Sequence, residues 1–320
     1  MIMGFNDSNG AILKVHNDDS MYMSDCMHFL NSLSKKTATY KYAFFKAILD
    51  NLFNVNENLE LSFNNLSYSF SKMYWNLIAK FKLPQYQNGR RISLIETAIY
   101  EIIDNNNLLD EIDFDSLNYK EQNDYLAKTQ NVIGINVVGA LYSDLNSNIY
   151  GFSKKEKKIW FNEESYNFLT KYKSALEKLN YYAWIIWMEN NLSIANKEEG
   201  NLAIKLDNST KRESLESFKQ SLFDKGDSLE CFYCGNSVSL KGCHIDHFIP
   251  WSFVKDDQEW NLVFSCSHCN ESKNNKIPSY NYLTKLINRN RNISLEYYNE
   301  KLIKLYDSAL YNGFVKWERI

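Results

Sequence analysis

A chain of 320 residues with 44% hydrophobic and 23% charged residues can bury a large core, as one large or two moderate soluble domains. A formal charge of −3 excludes a grossly basic nucleic-acid coat protein, although a local basic groove stays compatible with it. With only 11 Gly and 3 Pro, turns must rely on Asn, Asp and Ser, and long helices meet few breakers, which favours a mainly helical fold.

The opening MIMGFNDSNGAILKVHNDD lacks a positive stretch followed by a sustained apolar run, so no secretory signal is read there. Helical periodicity begins at TATYKYAFFKAILDNLF, where Thr37 or Thr39 is the candidate N-cap and Phe44, Phe45, Ile48, Leu49 and Leu52 recur at helical spacing. LSYSFSKMYWNLIAKF and SLIETAIYEIIDN repeat the pattern, and KIWFN suits a short strand. From Glu163 to Glu189 a long amphipathic helix is expected. Leu169, Tyr172, Leu176, Leu179, Ala183 and Ile186 would form its apolar face, with Lys171, Lys173, Glu177 and Lys178 on the other. Its most apolar window, YYAWIIWM at Tyr181–Met188, is far shorter than the roughly 20 residues that span a bilayer and reads as a buried turn of helix. A cytoplasmic protein with no membrane partner is expected.

Near Gly200 the chain becomes polar and mixed in charge. The expected organisation is a helical domain over 1–200, a linker with a short helix over 201–228, and a second domain over 229–320 that ends in helices. Those last helices carry a modest basic excess in Lys285, Arg289, Arg291, Lys301 and Lys304.

Cys26 stands alone, whereas the other five cysteines lie between Cys231 and Cys269. In a reducing compartment such clustering points to metal before disulfides. CFYC (Cys231, Cys234) and CSHC (Cys266, Cys269) can each offer two thiolates to one tetrahedral ion, giving a closed, structural four-cysteine Zn²⁺ site. Cys243 and His268 are substitute ligands at poorer spacing. The gap between the knuckles exceeds that of a usual zinc ribbon. Within it GCHIDHFI suits a strand, FVKDDQEW a turn and NLVFS a returning strand, and a helix is expected to start after the second knuckle. This order can bring Asp246 and His247, on the hairpin, against Asn270 at the helix start.

IDHFIPWS…EWNLVFSCSHCNESK resembles the HNH endonucleases, whose catalytic unit is a ββα-metal finger stapled by zinc. The resemblance covers Cys231 to about Lys276; the N-terminal part resembles no family. Periodicity gives a mainly α N-terminal domain, and the resemblance implies that a small α+β nuclease domain follows it. It also implies His247 as general base, Asp246 and Asn270 as ligands of a catalytic metal, and Asn261 as the residue that supports the loop and orients the histidine. Asn270 stands where a literal H-N-H pattern has its last histidine. A carboxylate beside an amide oxygen suits Mg²⁺, with Mn²⁺ as substitute. Lys273, Lys276 and His244 are candidate phosphate contacts.

The function these readings imply is hydrolysis of DNA, expected to be double-stranded, by a restriction or antiviral defence nuclease, with DNA recognition, homodimerisation or sensing as the role of the helical domain. Two other readings stay open. A non-catalytic zinc-stapled nucleic-acid-binding module would keep the cysteines but has no need of Asp246, His247, Asn261 and Asn270. An RNA-cleaving toxin on the same scaffold would act without divalent metal, through the ribose hydroxyl.

Overall fold

A computed structural model describes residues 8–31, 38–85, 92–108, 111–191, 201–210 and 214–319. The chain divides into two compact units, Met1–Lys211 and Arg212–Ile320. Thr37 and the expected boundary at Gly200 lie outside the described residues. The stretch expected as linker is shared out: α8 (Leu202–Asn208) belongs to the first unit and α9 (Glu216–Asp224) to the second.

The first unit is helical. Its core helix is α2 (Tyr40–Asn51), in which every residue from Tyr42 to Asn51 is buried. It packs against α3 (Phe63–Trp75), α6 (Val138–Asp144) and α7 (Glu163–Asn191), so no face is left to water. Thr39 precedes α2 but does not cap it with its side chain. Its hydroxyl instead meets the Tyr74 hydroxyl at 2.7 Å and donates to Gln85 Oε1 at 2.8 Å. Ser93 does cap α4 (Leu94–Asn106), in a reciprocal box with Glu96.

The long α7 has a different inner face from the one periodicity suggested. Phe168, Leu169, Lys173, Leu176, Asn180 and Trp184 are buried, whereas Leu179 and Ile186 are exposed. The face is set by polar anchors that a hydrophobic pattern ignores. Lys46 of α2 is wholly buried, with Asp50 as its i+4 partner and Glu177 of α7 at 3.0 Å. Lys173 sits 3.7 Å from Glu177, and Asn180 Nδ2 donates to the Tyr42 carbonyl at 3.0 Å. Cys26 is buried in α1 (Asp19–Leu30), and burial pushes its thiol far up.

Four short strands form one sheet in the order β1-β3-β4-β2: Asn9–Gly10, Gly151–Ser153, Lys158–Trp160 and Glu60–Ser62. All three pairings are antiparallel. KIWFN thus contributes the strand expected of it.

The second unit is α+β. Strands β5 (His244–His247) and β6 (Leu262–Ser265) pair antiparallel, with Ile245 opposite Phe264 and His247 opposite Leu262. Leu215 and Leu222 cover them on one side, in a core with Cys243, Ile245, Leu262, Phe264 and Ile293. Between the strands lie α10 (Trp251–Val254) and a 3-10 turn over Glu259–Asn261. Helix α11 (Ser267–Lys273) follows β6 directly, so it begins inside the second knuckle and not after it. The knuckle's turn is itself the first turn of helix, with Cys266 at the N-cap. Strands β7 (Ile277–Pro278) and β8 (Lys316–Trp317) pair in parallel around α12 (Tyr280–Asn292) and α13 (Asn299–Tyr311). Among the described residues no helix is long and apolar enough to cross a membrane.

Candidate active site and metal centre

The two knuckles converge. The Sγ atoms of Cys231, Cys234, Cys266 and Cys269 all lie within 4.8 Å of one another, and Cys234 and Cys266 are 3.9 Å apart. A tetrahedral ion with sulfurs at roughly 2.3 Å spaces them about 3.8 Å apart, so the four thiols fit Zn²⁺. Local backbone chemistry makes the cage. Gly235 takes φ +74° and its N–H donates to the Cys231 carbonyl at 2.8 Å, closing the first knuckle. The Phe232 N–H donates to the Phe264 carbonyl at 2.8 Å, tying that knuckle to β6. Burial opposes ionisation of Cys231, but N–H groups of Cys266, Cys234 and Tyr233 outweigh it and bring the thiol down to about 7. Burial and the adjoining thiols push Cys269 up. Cys243 is not in the cage; it sits in the apolar core.

A few residues away, β5 and α11 open onto a cleft of about 560 Å³ whose walls include Asp246, His247, Pro250, Trp251, Asn270 and Lys273. Asp246 and His247 end β5 and are both buried, at 7% and 2% exposure. Asn270, half-buried in the middle of α11, comes from the opposite wall. Asp246, His247 and Asn270 thus line one cleft.

His247 Nε2 lies 2.7 Å from Asp257 Oδ1. Asp257, in the turn before β6, was not singled out in the sequence. Nothing in the spacing of FVKDDQEW marks either aspartate as facing back toward the histidine.

Asn261 stands behind the cleft and is 1% exposed. Its Oδ1 accepts from the Ile249 N–H at 2.8 Å and its Nδ2 donates to the Ile249 carbonyl at 3.0 Å. Its own carbonyl accepts from the Phe248 N–H at 2.8 Å. All three bonds hold the loop that leaves His247, and Asn261 itself is not among the residues that line the cleft.

Lys273 differs most from expectation. Its side chain is fully buried, with Nζ 3.0 Å from Asp246 Oδ2 and donating to the His247 carbonyl at 2.7 Å. It is bound inward on the carboxylate, not extended toward a phosphate. Burial, partly offset by Asp246, lowers its pKa from the ordinary lysine value. The Tyr233 hydroxyl, from the spacer of the first knuckle, donates to Asp246 Oδ2 at 2.5 Å. Its ring is held edge-on by Tyr282 and Trp317, at 5.4 and 5.1 Å between centroids. Lys276 is exposed past the end of α11, and His244 is exposed at the far end of β5; neither lines the cleft.

The basic excess of the last helices is largely used within the unit. Arg289 bonds Asp227 at 3.2 Å and the Leu262 carbonyl at 2.7 Å, Lys285 donates to the Phe232 carbonyl, and Lys304 pairs with Glu300.

No curated protein and no solved structure gives a significant match to this chain. The cysteine cage, the β5–β6 hairpin, α11 and the cleft between them all fall within residues 231–279, and this segment matches the family described as HNH endonuclease.

Proposed function

We propose that the chain is a metal-dependent endonuclease that hydrolyses phosphodiester bonds of double-stranded DNA, with His247 as general base. The observation that carries this reading is the juxtaposition in one cleft of Asp246, His247 and Asn270, with His247 backed by Asp257 at 2.7 Å. The carboxylate fixes the proton on Nε2 and turns Nδ1 into the basic nitrogen, which takes the proton of the attacking water. Asp257 then stabilises the imidazolium that results. Asn261 acts through the Ile249 backbone, keeping the loop after His247 from shifting.

The donor set fits a hard divalent cation. Asp246 offers a carboxylate and Asn270 an amide oxygen, and an ammonium already sits 3.0 Å from Asp246. Mg²⁺ held by these two residues, or Mn²⁺ in its place, supplies Lewis-acid stabilisation of phosphate charge. The four thiols would hold Zn²⁺, whose filled shell would limit it to a structural role.

A nuclease unit joined to a large helical unit suits a restriction or antiviral defence enzyme. There the helical unit would read DNA or pair two copies so that two nicks become a double-strand break. The test is cleavage of supercoiled plasmid by the wild type and by His247→Ala, with Mg²⁺, Mn²⁺ or EDTA. Metal-dependent cutting, lost by at least about two orders of magnitude in the variant, is the expected outcome, with zinc content unchanged. Cutting at the normal rate by His247→Ala sinks the assignment of the base. Cleavage of RNA alone without metal would make the chain a ribonuclease.

A further inference from the structure

The four-stranded sheet of the first unit carries a second cleft, of about 420 Å³. Strand alternation explains how it is built. Gly10, Phe152, Ile159 and Leu61 form one row across the sheet, and all are buried, so this row faces the helices. The flanking rows, Asn9–Ser153–Lys158–Ser62 and Gly151–Trp160–Glu60, point to the other side, where Asn9, Ser153, Lys158, Trp160 and Glu60 line the cleft.

Gly151 lies directly opposite Trp160, and a Cβ there would come within 2.4 Å of the indole. The indole is thus packed on the bare backbone of Gly151, and Trp160 also lines the cleft. Around it Lys158 is held between Glu60 and Glu156, each at 2.7 Å. Hydrogen bonds from Lys158 and Asn56 keep the Glu60 carboxyl below its ordinary range, so it is an ionised acceptor at neutral pH. Asn9 and Asn58 add amide donors and acceptors to the rim.

Two carboxylates against one ammonium make the cleft itself hostile to a phosphate. A flat ring with N–H donors along its edge is suited to it. Just outside, the β3–β4 turn reads Lys154, Lys155, Glu156, Lys157, and Lys155 and Lys157 are exposed. An aromatic platform with cations beside it matches the alternation of base and phosphate along a nucleic-acid strand.

We propose that this cleft takes one unpaired nucleobase of a DNA strand, stacked on Trp160 and hydrogen-bonded at its edge by Glu60, Asn9 and Asn58, while Lys155 and Lys157 meet the flanking phosphates. The choice of DNA as the strand rests on the nuclease reading above; the base-binding chemistry does not.

The test uses full-length protein carrying His247→Ala, labelled with 5-fluorotryptophan. The ¹⁹F signal of Trp160 is identified among the seven tryptophans by its loss in Trp160→Phe, with circular dichroism to confirm the fold. The titrant is a single-stranded DNA of about 12 nucleotides, within the span such platforms cover, alongside an abasic strand of equal length. The expected result is a shift of the Trp160 signal with the first strand and not with the second. Affinity should fall by about tenfold, and depend less on salt, in Lys155→Gln/Lys157→Gln. No shift of the Trp160 signal, or an equal shift with the abasic strand, overturns the proposal. Plasmid cutting by the wild type is read separately. Cutting without a Trp160 response sinks this inference and spares the nuclease; a response without cutting does the reverse.

Discussion

Asp246 is a buried carboxylate that accepts from Tyr233 and pairs with Lys273, so any divalent ion must reach an anion that already has a cation on it. Replacing Lys273 by Met leaves that charge to the metal alone. We expect Lys273→Met to bind Mn²⁺ about tenfold more tightly in titrations followed by electron paramagnetic resonance; an unchanged affinity would mean that the lysine and the ion share the carboxylate. At His247 the partner is Asp257, and an amide there keeps the size but can present either an acceptor or a donor to Nε2. Asp257→Asn should lower kcat by about 10- to 100-fold with little change in KM. A variant with normal kcat would show that Asp257 is not what orients the base. Asp246 and His247 could be read from sequence because they are adjacent and belong to a dense motif. Asp257 and Tyr233 could not. Each sits in a turn or spacer, where the direction of a side chain depends on backbone angles that carry no periodicity.

The strand–strand–helix order was legible at the level of elements, since β-branched and aromatic runs and a polar helix start mark it. The inner face of α7 was not. Hydrophobic spacing selected Leu179 and Ile186, but Lys173 turns inward beside Glu177 of the same helix and Asn180 turns inward because α2 offers the Tyr42 carbonyl there. The start of α11 was misplaced for a related reason. A knuckle reads as an isolated turn in sequence, whereas Cys266 to Cys269 is the opening turn of the helix. This fusion makes a prediction. Cys266→Ser removes one zinc ligand and the anchor of α11 together. It should lower zinc content to below one equivalent and destabilise the second unit by several kcal/mol. Metal analysis and denaturation with urea would check both; full zinc content would exclude Cys266 from the cage.

Across the whole chain the two units are held together internally by different chemistry. The first relies on the all-round burial of α2 and the ion cluster at Lys46, Asp50 and Glu177. The second has a smaller core and the thiol cage. Calorimetry should therefore show that a strong zinc chelator abolishes one unfolding transition and leaves the other in place. Loss of both would mean that neither unit is stable without the other. The candidate sites of the two units were unequally legible. The second carries its chemistry in contiguous motifs, and the first carries its candidate platform in Trp160 and Glu60, which lie on different strands and meet only through sheet register.

One seven-residue helix, α11, contributes Cys269 to the sulfur cage and Asn270 and Lys273 to the cleft. Chemistry directed at the thiols consequently reaches the cleft without entering it. An oxidant that joined Cys231 to Cys234 would take two thiols from the cage and unfasten Ser267–Lys273, and with it the Asn270 and Lys273 side of the cleft.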